Sequence, residues 1–303
     1  MTLIAISLVV LSACIHALWN LLSKSNNPSA AFFLLASLFG TALLSPIMVY
    51  QGFEVVQEIP LMVWIYLLLT GFFMSLYYVS LAKAYREGDL SVAYPIIRSL
   101  PVVIVLIVVV LLGRAEQITW LSAGGGLIVV IGCFMVPLKG FRFFDLANYW
   151  NLTCAMAVIA AISTAGYTMI DDEALRYLHN HSQLDIGNVS AAILYAFLEA
   201  LITSIWMALY ILTRRQSRID IVQLIRLNKT HVFLAAIGIH LSYTLVLAAL
   251  AFVDNVSYVV AFHRLSIPIG AALGIVILRE QPYPIKILGV LVVLVGLVFV
   301  AIG

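Results

Sequence analysis

The chain has 303 residues, 64% of them hydrophobic and only 10% charged, with a mean hydropathy of +1.11 and a formal net charge of +2. A soluble domain carries about 25% charged residues, so this chain cannot cover a globule with polar surface and belongs in a lipid bilayer. No basic run offers a nucleic acid anything to hold, and Cys14, Cys133 and Cys154 all lie in apolar stretches, which argues against a disulfide framework.

About 20 apolar residues cross a bilayer as a helix. The sequence predicts ten such spans: 2–22, 30–50, 60–82, 92–113, 117–138, 150–171, 188–212, 231–253, 257–278 and 284–302. The first contains Leu11-Ser-Ala-Cys14, a lipoprotein-like cleavage pattern, but no Lys or Arg precedes it and the apolar run continues to Leu22. It therefore reads as a span. It also sets His16, Trp19, Asn20 and Ser23 on one helical face. The third span carries Tyr77.

The fourth span holds Arg98 between Pro95 and Pro101. A charge at the membrane centre costs about 2.5–3.5 kcal/mol even on a lenient scale, so something must offset it. The sixth repeats the polar stripe of the first with Thr164, Tyr167, Thr168 and Asp171. The seventh has Glu199 near its centre, and the eighth carries His240, Tyr243 and Thr244. The ninth carries His263 and Arg264 upstream of Pro268. The longest polar connections are 172–187 and 213–230.

The two halves of the chain, 1–140 and 141–303, resemble each other. Glu116-Gln117 precedes Gly125 and Gly132, and Glu280-Gln281 precedes Gly289 and Gly296, at a constant offset of 164 residues. With a shift of one or two residues, Tyr77, Leu81, Ser91 and Arg98 match Tyr243, Leu247, Ser257 and Arg264. Five helices per half is an odd number, so the second half enters the membrane from the opposite side. The expected fold is all-α and integral to the membrane, with ten transmembrane helices in two inverted five-helix repeats. Lys and Arg gather in the odd-numbered loops, with Arg114 and Arg176 the exceptions, which places odd loops in the cytoplasm and both termini outside.

Arginine offers a planar fork suited to carboxylate or phosphate. Arg98 and Arg264, one per repeat, are candidates to hold an anionic substrate, expected to straddle the midplane about 10 Å apart. The alternative is that each pairs with an internal acid, Glu199 being the obvious one. Glu199 in turn is a candidate for proton coupling, since desolvation disfavours a charged carboxylate, or for an ion pair. Trp19, Asn20, Tyr167, Thr168 and Tyr243 are candidates to line the cavity, with His16 beside them as a further coupling or ion-pair candidate. Interhelical hydrogen bonding is an equal reading for Asn20 and Thr168. His263 is expected to point away as a packed neutral ring, and Asp171, Asp172 and Asp254 to sit near helix ends in reach of water. Glu116 and Glu280 read as caps of the helices they precede or as interface charges, and the spaced glycines as close helix packing or a dimer face.

Tyr94-Pro95-Ile-Ile-Arg98-Ser-Leu-Pro101 with Glu116, and Phe262-His263-Arg264 through Leu278-Arg279-Glu280, resemble the ten-helix, EamA-type members of the drug/metabolite transporter superfamily. The resemblance covers nearly the whole chain, although Arg114-Ala-Glu116 spaces its acid differently from Arg279-Glu280. The opening His16-Ala-Leu-Trp19-Asn20 is similar to a subgroup linked to phosphonate use. Membership implies a secondary transporter working by alternating access. It implies transport of small metabolites, often outward, and does not fix the substrate. With Arg98 and Arg264 as anion holders, the expectation is an exporter of a small anionic or zwitterionic metabolite, such as an amino acid or an organophosphorus or carboxylate compound, in a bacterial inner membrane. Its partners would be that substrate and the bilayer, with a proton as a coupling ion, no nucleic acid, no metal and no cofactor, as a monomer or homodimer. The alternatives are a multidrug-type exporter of apolar cations and a passive channel or scaffold. An enzyme is disfavoured, because no Gly-x-Ser-x-Gly, His-Glu-x-x-His or paired intramembrane aspartates occur.

Overall fold

The computed structural model describes residues 3–26, 28–51, 54–113, 116, 118–140, 149–181, 188–250, 259 and 262–303. Among them it is helical throughout: α1 (Leu3–Ser25), α2 (Ala30–Gln51), α3 (Leu61–Glu87), α4 (Leu90–Leu111), α5 (Trp120–Met135), α6 (Leu152–His181), α7 (Asn188–Leu212), α8 (Arg215–Leu227), α9 (Lys229–Leu250), α10 (Ser266–Val276) and α11 (Pro284–Ile302), with one extra turn at Glu54–Gln57. Six of these are long and apolar enough to cross a membrane within Leu3–Ser25, Leu61–Glu87, Leu90–Leu111, Leu152–Leu178, Ile193–Leu212 and Pro284–Ile302. Shorter apolar stretches lie at Ala30–Pro46, Trp120–Met135 and Ser266–Val276. Arg114, Gln117, Asp254 and Ser257, which entered the sequence arguments, lie outside the described residues.

Three segments differ from expectation. The polar connection 213–230 contains α8, a 13-residue helix too short to register as a span. α6 runs for 30 residues to His181, which carries Asp171 and Asp172 inside the helix rather than at its end. The ninth span is broken: Arg264 and Leu265 form a turn, and α10 starts only at Ser266.

The chain forms two compact units, each drawing on both sequence halves. The first comprises Met1–Pro28, Ser80–Ile162 and Ile237–Gly303, the second Ser29–Val79 and Ser163–Ala236. In the first, α5 and α11 pack antiparallel through the four spaced glycines. A Cβ on Gly125 would come within 2.7 Å of the Gly296 carbonyl oxygen, and one on Gly132 within 2.7 Å of the Val293 nitrogen. The glycine face is thus consumed inside the molecule and is not available to a second copy. Val103, Val129, Ile267, Val290, Val293 and Leu297 fill the neighbouring core. In the second unit, Leu67, Leu178, Leu194, Leu198 and Ile202 form the centre of a core shared by α3, α6 and α7.

Candidate substrate site

The first unit contains two polar regions of opposite character. One lies where α3 ends and α4 begins. Lys24, in the last turn of α1, donates to the carbonyls of Tyr85 and, at 2.7 Å, Gly88. Those carbonyls are at the C-terminal end of α3, which lacks partners of its own and favours a cation. Asp89 is the N-cap of α4 but makes no capping bond. Its carboxylate instead takes Lys286 at 3.2 Å.

Lys286 is 2% exposed and also donates to Ser91 Oγ and the Gln281 carbonyl, each at 3.0 Å. Glu280 supplies the missing cap: its two oxygens accept from the backbone N–H groups of Leu90 at 2.6 Å and Ser91 at 2.8 Å. Glu280 therefore caps α4, not the helix that follows it. Arg279 holds a positive φ of 57°, where the chain turns out of α10 just before Glu280. In the first half it is Thr119 that caps α5, accepting from Ser122 N.

The second region lies where α1, α4 and the break before α10 meet. His16 packs edge-on against Trp19 at 5.1 Å and against His263 at 5.4 Å, with Tyr94 at 6.4 Å. His263 thus belongs to this cluster and does not point away, because the break at Arg264 turns the chain there. Tyr94 is fully buried, and Gly270 makes room for it, since a Cβ there would lie 2.5 Å from the ring. Its hydroxyl faces Arg98 and Ser266.

Arg264 donates from Nη1 to the Arg98 main-chain carbonyl at 3.1 Å. The Arg264 side chain therefore reaches the backbone of α4 at Arg98. Pro101, inside α4, offers no N–H to the Ile97 carbonyl one turn back. In this unit, the buried His16 Nε2, Trp19 Nε1, Tyr94 hydroxyl, Arg98 Nε, His263 Nε2 and Ser266 Oγ have no hydrogen-bond partner. Neither ion pair formed among the described residues, Arg176–Asp172 or Lys286–Asp89, engages Arg98.

The remaining sequence candidates divide. Trp19 is 4% exposed and belongs to the cluster. Asn20 buttresses it: its amide donates to the His16 carbonyl at 2.8 Å and accepts from the Tyr85 hydroxyl at 2.7 Å, so both polar ends are committed within the protein. Tyr243 is 54% exposed and does not share the burial of the cluster. Tyr167 and Thr168 lie in the second unit, where Tyr167 meets Tyr77 edge-on at 6.0 Å and Thr168 is exposed.

Glu199 is also in the second unit, and the acid beside it there is Asp171. Asp171 is half-buried and accepts from Thr70 at 2.6 Å and Tyr195 at 2.8 Å. Glu199 follows Tyr195 by one helical turn, and its Oε1 is buried without a partner. Sequence reasoning missed Ser266 and Lys286. Asp171 stood on the polar stripe of the sixth span but was expected near a helix end, and Tyr94 stood only in the motif around Arg98.

A helical chain with several segments long and apolar enough to cross a bilayer is a polytopic membrane protein. Residues 3–138, which comprise α1 to α5, match the EamA-like transporter family. That segment is similar to the family, which is part of the drug/metabolite transporter superfamily, and the apolar helices make the protein a multi-pass membrane protein. No curated protein is similar enough to the chain to count as a relative.

Proposed function

We propose that the protein is a secondary transporter that moves a small anionic or zwitterionic metabolite outward across a bacterial inner membrane. It works by alternating access between the two inverted five-helix repeats 1–140 and 141–303. The substrate's anionic group sits on Arg98 and Arg264, with Trp19, His16, Tyr94, His263 and Ser266 supplying further polar contacts and an aromatic wall. The observation that carries this reading is the convergence of six buried, unpartnered polar atoms around Arg98 and Arg264. Leaving a buried polar group unpaired costs about 1–3 kcal/mol, and a ligand rich in acceptors removes that cost for several groups at once. The antiparallel packing of α5 on α11, the closing helices of the two halves, supports the inverted arrangement.

Two guanidiniums in one cluster repel a cation, which weighs against a multidrug exporter of apolar cations. The helix break at Arg264 supports moving parts over a static scaffold or a passive channel. In the second unit, Glu199 serves as the coupling group with Asp171 beside it.

The test is a thermal-shift panel on the purified protein, using amino acids, phosphonates, sugar phosphates and lipophilic cations, with Arg98→Ala in parallel. Stabilisation by an acidic or zwitterionic compound that disappears in Arg98→Ala is the expected result. Stabilisation by lipophilic cations that survives the substitution would show that Arg98 is structural and the substrate cationic.

A further inference from the structure

α8 joins α7 to α9 through only Thr213 and Arg214 on one side and Asn228 on the other. Its 13 residues span about 20 Å at 1.5 Å per residue, too little to cross a bilayer about 30 Å thick. A short helix tethered at both ends to apolar helices is held near a membrane surface. Within the second unit it packs on α2 and α7, with Leu224 buried.

The face turned outward is unusual in composition. Ile219, Val222 and Ile225 are 50%, 49% and 52% exposed. Arg215, Arg218 and Arg226 are exposed as well. At about 100° per residue these six share one side of the helix, aliphatic groups interleaved with guanidiniums. Asp220, the one acid in α8, lies on another side, only partly exposed, and accepts from the Gln216 amide at 3.0 Å. Arg214 and Lys229, both exposed, add two cations at the ends. Three aliphatic residues in water gain nothing from exposure, and cations alone would explain only a solvated face. The mixture fits a helix lying in the headgroup layer, with apolar side chains reaching toward the acyl chains and arginines among phosphates.

We infer that α8 is an interfacial anchor that rests on an anionic lipid leaflet. Ile219, Val222 and Ile225 insert, and Arg215, Arg218 and Arg226 bind lipid phosphate and anionic headgroups. The balance of five cations to one acid over residues 214–229 selects anionic over zwitterionic lipid, since each basic residue near such a surface adds to the attraction. The contact holds the α7–α9 connection to the membrane plane.

The experiment uses the full chain with Cys14, Cys133 and Cys154 replaced and Val222→Cys labelled with an environment-sensitive fluorophore. The protein is placed in nanodiscs of phosphatidylcholine alone or with about one-third phosphatidylglycerol. The expected result is a blue-shifted, brighter emission that depends on the anionic lipid and is lost when Arg215, Arg218 and Arg226 are all changed to Gln. Emission that is identical in both bilayers overturns the anionic assignment. Emission that turns blue only as protein concentration rises assigns the face to a second copy instead. Trypsin cleavage of the unmodified protein gives an independent readout should the labelled form not fold. Cutting after Arg215, Arg218 and Arg226 should be about tenfold slower in the anionic discs, as expected for an attraction shared by several basic residues, and equal rates in the two would again overturn the inference.

Discussion

Within the first unit, the junction around Asp89 and the cluster around His16 are both rich in charge and hydrogen-bonding groups, yet they are finished to different degrees. At the junction Lys286 has three acceptors, Glu280 accepts two backbone N–H groups, and Lys24 closes the end of α3. In the cluster six buried polar atoms lack partners and the Arg264 side chain reaches the Arg98 main-chain carbonyl. A network that satisfies its own groups holds helices in place. One that leaves them open carries a cost that a ligand can remove. Charge inside a membrane protein therefore does not by itself mark a binding site, whereas unmet hydrogen-bonding capacity is a better guide.

This contrast breaks most sharply under paired substitutions. Arg98→Ala should lower transport by about 100-fold, the order expected for losing hydrogen bonds to a charged group, while the melting temperature without substrate stays level or rises. Lys286→Met should do the reverse. It removes a buried ammonium with three acceptors and should cost about 1–3 kcal/mol of stability, with Asp89 partly rescued by its exposure to water. Flux into proteoliposomes and thermal unfolding, measured on both variants, check the pair. Equal loss of stability in the two would erase the distinction between the regions.

The second unit extends the comparison to acids. Glu199 has a buried oxygen without a partner, and Asp171 has two hydroxyl donors. If Glu199 exchanges the coupling proton, Glu199→Gln should flatten the dependence of transport on pH while leaving substrate-induced stabilisation in place. A wild-type profile in that variant would remove Glu199 from coupling. Asp171→Asn should leave more of the dependence intact, because Thr70 and Tyr195 already satisfy that carboxyl.

Much of this was legible in the sequence, for physical reasons that also explain what was not. Membrane spans announce themselves by length and hydropathy, so α1, α3, α4, α7 and α11 lie close to where the pattern puts them. Intramembrane arginines are too costly to be incidental, which singled out Arg98 and Arg264. Glycines at seven-residue spacing pointed to close packing, and α5 meets α11 through them. Long-range partnership left no such trace. Nothing local says that Glu280 caps a helix beginning 190 residues earlier, or that Lys286 reaches Asp89. His263 was misjudged because its direction was taken from a continuous helix, and the chain breaks there. α8 was overlooked because a span search ignores short amphipathic helices.

The glycine seam tests packing without touching any polar group. Gly125→Leu places a side chain where even a Cβ would lie 2.7 Å from the Gly296 carbonyl and from the Val300 nitrogen. Overpacking of this kind costs about 1–3 kcal/mol, and thermal unfolding should show it. Gly124→Leu provides the control on the neighbouring position, where a Cβ meets nothing within 4 Å. Since leucine favours a helix more than glycine does, an equal loss in both would mean that contact with α11 is not what limits this segment.

The smallest effect should come from Arg279, whose left-handed backbone sits beside the Glu280 cap. An L-residue in that region costs about 1–2 kcal/mol, and glycine would relieve it. Glycine also loses more conformational freedom on folding, worth about 0.5–1 kcal/mol in regular structure. The two nearly cancel, so Arg279→Gly should change the unfolding free energy by less than about 1 kcal/mol and leave transport intact. A larger loss of stability would show that the Arg279 side chain itself contributes to the junction. A loss of transport at unchanged stability would show that the turn must stay stiff for Glu280 to hold and release α4 during the transport cycle.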